Sequence, residues 1–194
     1  MKDPASATYW FLVPLIVGFC SHLASACTSA FSRKWGNRIG TFISIILRDV
    51  TGIPLWAFGF FLAVKESSDL IFQPGIFLRI TGWGLIFLGG LVIIIALASI
   101  RIKAAAPKND DTLVRDGIYS VIRHPIHAGS GIEFTGVFLL WPTLKVAIAL
   151  ALGFIWIMVQ SRLEEKDLQK RIPGYKEYAG RLPRFFPGLF RKKN

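Results

Sequence analysis

Long apolar runs broken by short polar stretches set the pattern of this chain. Ala5 to Phe31 contains no Asp, Glu, Lys or Arg. Ile39 to Val64 contains only the adjacent Arg48 and Asp49, and Ile76 to Ile100 only Arg79. A fourth run, from near Ile126 to Leu140, ends at Trp141-Pro142, where proline disfavours helical geometry in the residue before it. A fifth runs from Thr143 through Gln160 and continues into the polar SRLEEKDLQKRI, until Pro173-Gly174 stops it. A helix needs about 20 mostly apolar residues to cross a bilayer. The pattern predicts an all-α integral membrane bundle of five transmembrane helices, the last two forming a helical hairpin. Residues 1–100 supply the first three helices. Residues 101–194 supply a cytoplasmic connector, the hairpin and a C-terminal tail.

Composition agrees. The chain is 53% hydrophobic and 18% charged, with a mean hydropathy of +0.49, unlike a soluble domain of this length. Its net charge is +11, and ten of the 23 Lys and Arg lie between Arg162 and Lys193. Such a tail is drawn to anionic membrane lipid, and no nucleic-acid partner is expected. Basic and non-basic loops alternate. Arg33, Lys34 and Arg38 follow the first run, and Lys65 with Glu66 and Asp69 the second. Arg101, Lys103, Lys108, Arg115 and Arg123 follow the third, and the Trp-Pro turn carries no charge. The positive-inside rule then predicts a multi-pass protein with its N-terminus outside and its C-terminus cytoplasmic. The host membrane would be the cell membrane in a prokaryote or the endoplasmic reticulum in a eukaryote. No removable signal peptide is expected, because no basic-apolar-cleavage pattern opens the chain. Two cysteines, Cys20 and Cys27, are too few for a disulfide framework. No metal-ligand spacing is visible, so no metal is expected.

Only residues 101–125 and 162–194 are long enough to build a polar site. The glycine-rich GWGLIFLGG at 82–90 lies inside the third run, where its glycines suit close helix packing better than phosphate binding. The densest chemistry is GIYSVIRHPIHAG, residues 117–129. Pro125 suits the first position of a helix, which would set His124 and nearby amides at a helix N-terminus, aimed at an anion. A second cluster, Arg162 with Glu164 and Glu165, sits at the far end of the hairpin, and Arg162 and Glu165 share a helix face. Alone, the first cluster reads equally as an interfacial anchor, and the second reads better as a solvated helix end. The hairpin brings them together, which suggests a pocket. Arg48, Asp49 and Glu133 fall at membrane depth, where ionisable groups are usually paired; Arg48 and Asp49 point about 100° apart on a helix and are each expected to find a partner elsewhere.

Taken in order, Gly117-Ile-Tyr119, Arg123-His124-Pro125-Ile-His127-Ala-Gly129, Glu164-Glu165, Gly174-Tyr175-Lys-Glu-Tyr178 and Arg181-Leu-Pro183-Arg184-Phe185-Phe186-Pro187 form one pattern. It resembles the isoprenylcysteine carboxyl methyltransferase family, within the wider group of membrane phospholipid methyltransferases, over roughly residues 110–187. The resemblance implies methyl transfer from S-adenosylmethionine, with S-adenosylhomocysteine as product, to the carboxylate of an isoprenylcysteine or similar lipid-borne acid. The acceptor would be a prenylated-protein C-terminus or a lipid-linked small molecule. By position the cofactor site comprises Asp111, Thr112, Leu113, Val114, Tyr119, His124, Pro125, Ile126, His127 and Glu165. Arg162, as the contact to the acceptor carboxylate, and Glu164 are the implied catalytic residues. His127 departs from the Tyr usual there. Three other readings stay open: methylation of a phospholipid or small membrane amine, a membrane oxidoreductase, and a scaffold whose polar clusters are headgroup anchors.

Overall fold

Proline and glycine punctuation along the sequence becomes helix ends in the computed structural model, which describes residues 9–66, 70–104 and 113–188. Helices α1 (Leu12–Ser25) and α2 (Thr28–Trp35) meet at a bend of 64°. Ser25 Oγ donates to His22 O at 2.6 Å and Thr28 Oγ1 to Ser25 O at 3.1 Å, so side chains satisfy the carbonyls freed at the corner. Helix α3 (Asn37–Ile45) passes through a π-helical turn (Ile46–Gly52) into α4 (Ile53–Lys65). After α5 (Ile76–Ala104) and a short 3-10 turn (Gly117–Ser120) come α6 (Pro125–Leu140), α7 (Leu144–Arg171) and α8 (Tyr175–Arg181). Among the described residues the only β-pairing is an isolated bridge between Leu70 and Thr143.

The hairpin is the predicted one. Pro125 is the first residue of α6. Trp141-Pro142 makes the turn, and Thr143 caps α7 by accepting from Val146 N at 3.3 Å. Helix α7 ends at Arg171, with Ile172 as its C-cap, ahead of Gly174, whose φ of +77° is a conformation other residues rarely adopt.

Among the described residues, three helical stretches are long and apolar enough to cross a membrane: Asn37–Lys65, Ile76–Ile100 and Leu144–Arg171. The bent α1–α2 pair makes a fourth if it counts as one span. Five were predicted. The shortfall lies in α6, which Pro125 and Trp141-Pro142 cut to 16 residues. That is about 24 Å of helix against roughly 30 Å of hydrocarbon.

Helix α6 therefore leans on its neighbour. It packs backbone to backbone on α5 through glycines seven apart on each helix: a Cβ added at Gly129 would lie 2.7 Å from Gly89 O, and one at Gly136 would lie 2.6 Å from Gly82 O. Lipid offers no hydrophobic force to join helices, so close approach of this kind supplies the attraction. Glu133 lies across the same seam, against Gly89 and Gly90 of α5. On the other side, Phe11, Leu15 and Phe19 of α1, Phe60 and Ala63 of α4, Phe134 of α6 and Trp156 of α7 form the buried core. Phe60 stacks on Phe134 with centroids 4.5 Å apart, and Phe19 on Trp156 at 5.1 Å.

Gly129→Val is expected to force α5 and α6 apart and lower stability by about 1–3 kcal/mol. Thermal melting of the detergent-solubilised protein checks this, with the exposed Gly180→Ala as the tolerated control.

Candidate functional site

A cavity of about 520 Å³ opens where α1, the π-helical turn, α5, α6 and α7 converge under the tail. That volume is ordinary for a small-molecule site. Its two ends differ. One end is polar and is formed by Tyr119, Arg123, His124, His127, Glu164, Tyr175 and Tyr178. The other is apolar, between Ile53 and Trp56 on one side and Ile93, Leu97 and Ile100 on the other. Those apolar walls belong to α4 and α5, which have little direct packing between them.

Glu165 organises the polar end. It is buried in the last turns of α7, and its carboxylate meets three cationic or imidazole groups. Arg123 Nη1 and His124 Nε2 each reach Oε1 at 3.0 Å, and Arg184 Nη2 reaches Oε2 at 2.7 Å. Arg184 Nε also donates to Oε1 at 3.0 Å, making a bidentate pair. The tail is fixed in register by its main chain: Arg123 N donates to Pro183 O at 3.0 Å and His124 N to Arg184 O at 2.9 Å. Tyr178 Oη donates to Tyr119 O at 2.7 Å. Burial pushes the Tyr178 phenol up to about 12, so it stays a neutral donor. The tail thus closes over the cavity, with Tyr175 and Tyr178 turned inward and only Phe186 of its later aromatics exposed among the described residues.

Glu164 is the freer carboxylate. It lines the cavity and accepts from Gln160 Nε2 at 2.8 Å, one helical turn earlier. His124 Nδ1 lies 3.6 Å from its Oε2, and His127 Nε2 lies 3.9 Å from its Oε1. Burial works against a charged His124, but hydrogen bonds to Glu164 and Glu165 outweigh it and raise its pKa above the ordinary value. Trp156 supports the site from beneath, its ring centroid 5.6 Å from that of His127 and 4.8 Å from that of His22.

The cavity gathers six of the residues singled out for the cofactor or for catalysis by the sequence pattern: Leu113, Val114, Tyr119, His124, Ile126 and His127, and Glu164 beside them as a seventh. Pro125 is fully buried behind them as the start of α6. Glu165 is consumed by its ion pairs, and Arg162 is exposed on the outside of α7 and does not line the cavity. Asp111 and Thr112 lie outside the described residues. Glu133, at the α5 seam, does not line the cavity either. Arg48 and Asp49 do, and they pair with each other, Nε to Oδ1 at 2.8 Å and Nη2 to Oδ2 at 3.0 Å. Their turn is π-helical. Its carbonyls are satisfied by hydroxyls, Ser21 Oγ donating to Leu47 O at 2.8 Å and Thr51 Oγ1 to Ile46 O at 3.2 Å. Sequence reasoning missed His22, a buried cavity-lining imidazole of α1, because a lone histidine in an apolar run carries no signal of its own. It also missed Asp167, which accepts from Ser29 N at the start of α2 at 3.0 Å. The i, i+4 stripe Gln160–Glu164 was the clue to which face of α7 turns inward.

A model of one protein family, described as phospholipid methyltransferase, matches residues 77–173, half of the chain. Two curated bacterial proteins are similar over part of their length. The cobalt-zinc-cadmium resistance protein CzcN of Cupriavidus metallidurans is 35% identical over 83 residues, 42% of this chain and 38% of that protein. The nickel-cobalt-cadmium resistance protein NccN of Alcaligenes xylosoxydans xylosoxydans is 33% identical over 85 residues, 42% of this chain and 40% of that protein. The match thus spans about two fifths of either relative. No solved structure matches the chain.

Glu165→Ala leaves Arg123 and Arg184 facing each other without their shared anion, at a cost of about 3–5 kcal/mol. The exposed Arg162→Ala is expected to change stability by no more than about 0.5 kcal/mol. Thermal unfolding in detergent, together with limited proteolysis of the tail, reads both.

Proposed function

The chain belongs to the phospholipid methyltransferase family, and from that premise we propose that this membrane methyltransferase acts on a lipid-borne acid, with an isoprenylcysteine carboxylate as its type. The observation that carries the reading is the single cavity with a polar end under the tail and an apolar end between α4 and α5. A water-borne donor and a lipid-borne acceptor differ in just this way. Lipid burial stabilises such an acceptor by about 0.8 kcal/mol per CH₂. The same reading keeps five spans, with the polar end and tail on the cytoplasmic side, and has Asp111 and Thr112 leading toward Tyr119.

The residues of the polar end suit S-adenosylmethionine, which supplies an activated methyl group on a sulfonium. Leu113, Val114 and Tyr119 offer flat apolar surface to its adenine. His124 and the amides that begin α6 suit its carboxylate. Glu164 suits its ammonium, a role the resemblance gives to Glu165, whose oxygens are already engaged by Arg123, His124 and Arg184. A carboxylate acceptor is ionised at neutral pH, so the chain need not remove a proton. Its contribution is alignment and exclusion of water. On this reading the acceptor carboxylate displaces Asp49 from Arg48, which lines the cavity in the turn that leads to Ile53 and Trp56, whereas Arg162 lies outside the cavity. A phospholipid amine is the second reading, favoured by Asp49 and Glu164 on the same walls.

Methyl incorporation from labelled donor into a prenylcysteine and into phosphatidylethanolamine, measured side by side, decides the acceptor; exclusive labelling of the amine overturns the acid. Arg48→Ala is expected to lower turnover of the acid about 10–100-fold with donor affinity retained, as for loss of a charged hydrogen bond. Arg162→Ala is expected to change it little, and abolished turnover there would return the carboxylate contact to Arg162.

A further inference from the structure

Two imidazoles and a carboxylate converge at the polar end, and the proposed donor site engages His124 and Glu164 but gives His127 no task of its own. One ligand atom each from His124, His127 and Glu164 lies within 4.8 Å of the other two. Tetrahedral zinc, with bonds of about 2.0–2.1 Å, holds its ligand atoms about 3.3 Å apart. Closing the site therefore takes shifts of about an ångström or less per ligand atom. We propose that, when no methyl donor is bound, His124, His127 and Glu164 bind a divalent transition cation of the Zn(II), Co(II), Ni(II) class, with its remaining coordination positions open to the cavity; cation and donor then compete for His124 and Glu164.

Three features support the assignment. The first is direction. His124 and His127 stand three apart at the start of α6, on one face of its first turn, and α7 presents Glu164 opposite them. The second is the support behind the ligands. Glu165, clamped by two arginines, can only accept, so His124 Nε2 donates to it at 3.0 Å and Nδ1 is the nitrogen left for a metal. Gln160 steadies Glu164 in the same way at 2.8 Å. Outer hydrogen bonds of this kind hold metal ligands in place. The third is donor chemistry. Two imidazole nitrogens and one carboxylate suit borderline metals, whereas magnesium and calcium prefer oxygen alone. His127 supplies the second nitrogen where the sequence resemblance leads one to expect Tyr, so the set is a property of this chain.

The test uses the full-length, detergent-solubilised protein, stripped with chelator and titrated with Co(II) in the absence of any methyl donor, so its outcome is independent of the methyltransferase reading. The expected result is one Co(II) per chain with visible d–d absorption, displaced by Zn(II). His127→Tyr is expected to weaken binding at least about tenfold, and Gln160→Leu to weaken it less. Glu164→Gln serves as a second ligand variant, and thermal melting confirms that each protein is folded. Absence of saturable uptake overturns the proposal, as does an affinity unchanged by His127→Tyr. So does uptake that disappears with Cys20→Ser/Cys27→Ser, since both thiols are exposed.

Discussion

The buried carboxylate of Glu165 is the constraint on which the site depends. An uncompensated charge at 5% exposure is costly, and Arg162 of the same helix is turned outward. The fold answers with Arg123 and His124 from the entry to α6 and Arg184 from the tail. One anion thereby fixes three segments far apart in sequence. It sets the α6 entry against the end of α7, brings the tail across both, and orients His124 so that its second nitrogen faces the cavity. Glu164, one residue earlier, is left available because its neighbour takes the basic groups.

The features readable in the sequence were those with local causes. Pro125 starts α6, Trp141-Pro142 turns the hairpin and Pro173-Gly174 follows the end of α7, each through backbone geometry that no tertiary contact overrides. The hairpin then made the meeting of the His-Pro run with the acidic pair inevitable. What escaped was set by packing. Arg162 and Glu165 share a face on paper, yet α7 turns Glu165 inward and Arg162 outward, and the cations come from 19 and about 40 residues away. Arg48 and Asp49 were expected to diverge as on an ideal α-helix, but a π-helical turn lets adjacent residues form a bidentate pair. The proposed metal-ligand set has no local spacing in the sequence, because its third member lies 37 residues beyond His127, on another helix.

The cavity also explains why the helices pack unevenly. Helix α5 commits its glycines to α6 and presents most of its large apolar side chains outward, whereas α4 commits to α1 and α7. Ile53 and Trp56 of α4 and Ile93 and Leu97 of α5 accordingly line the same cavity as the histidines. The short α6 fits the same arrangement. It need not traverse the bilayer unaided, since the long α5 lies along its whole glycine seam.

The strap formed by residues 183 and 184 has a kinetic consequence. It is joined to the α6 entry by two main-chain hydrogen bonds and to α7 by the Arg184 fork on Glu165. Under the proposed function a hydrophilic guest would leave by unfastening this strap, whereas a greasy one would pass between α4 and α5. The two visitors would then come and go on separate clocks, one governed by peeling of an ionic clasp and the other by lipid diffusion.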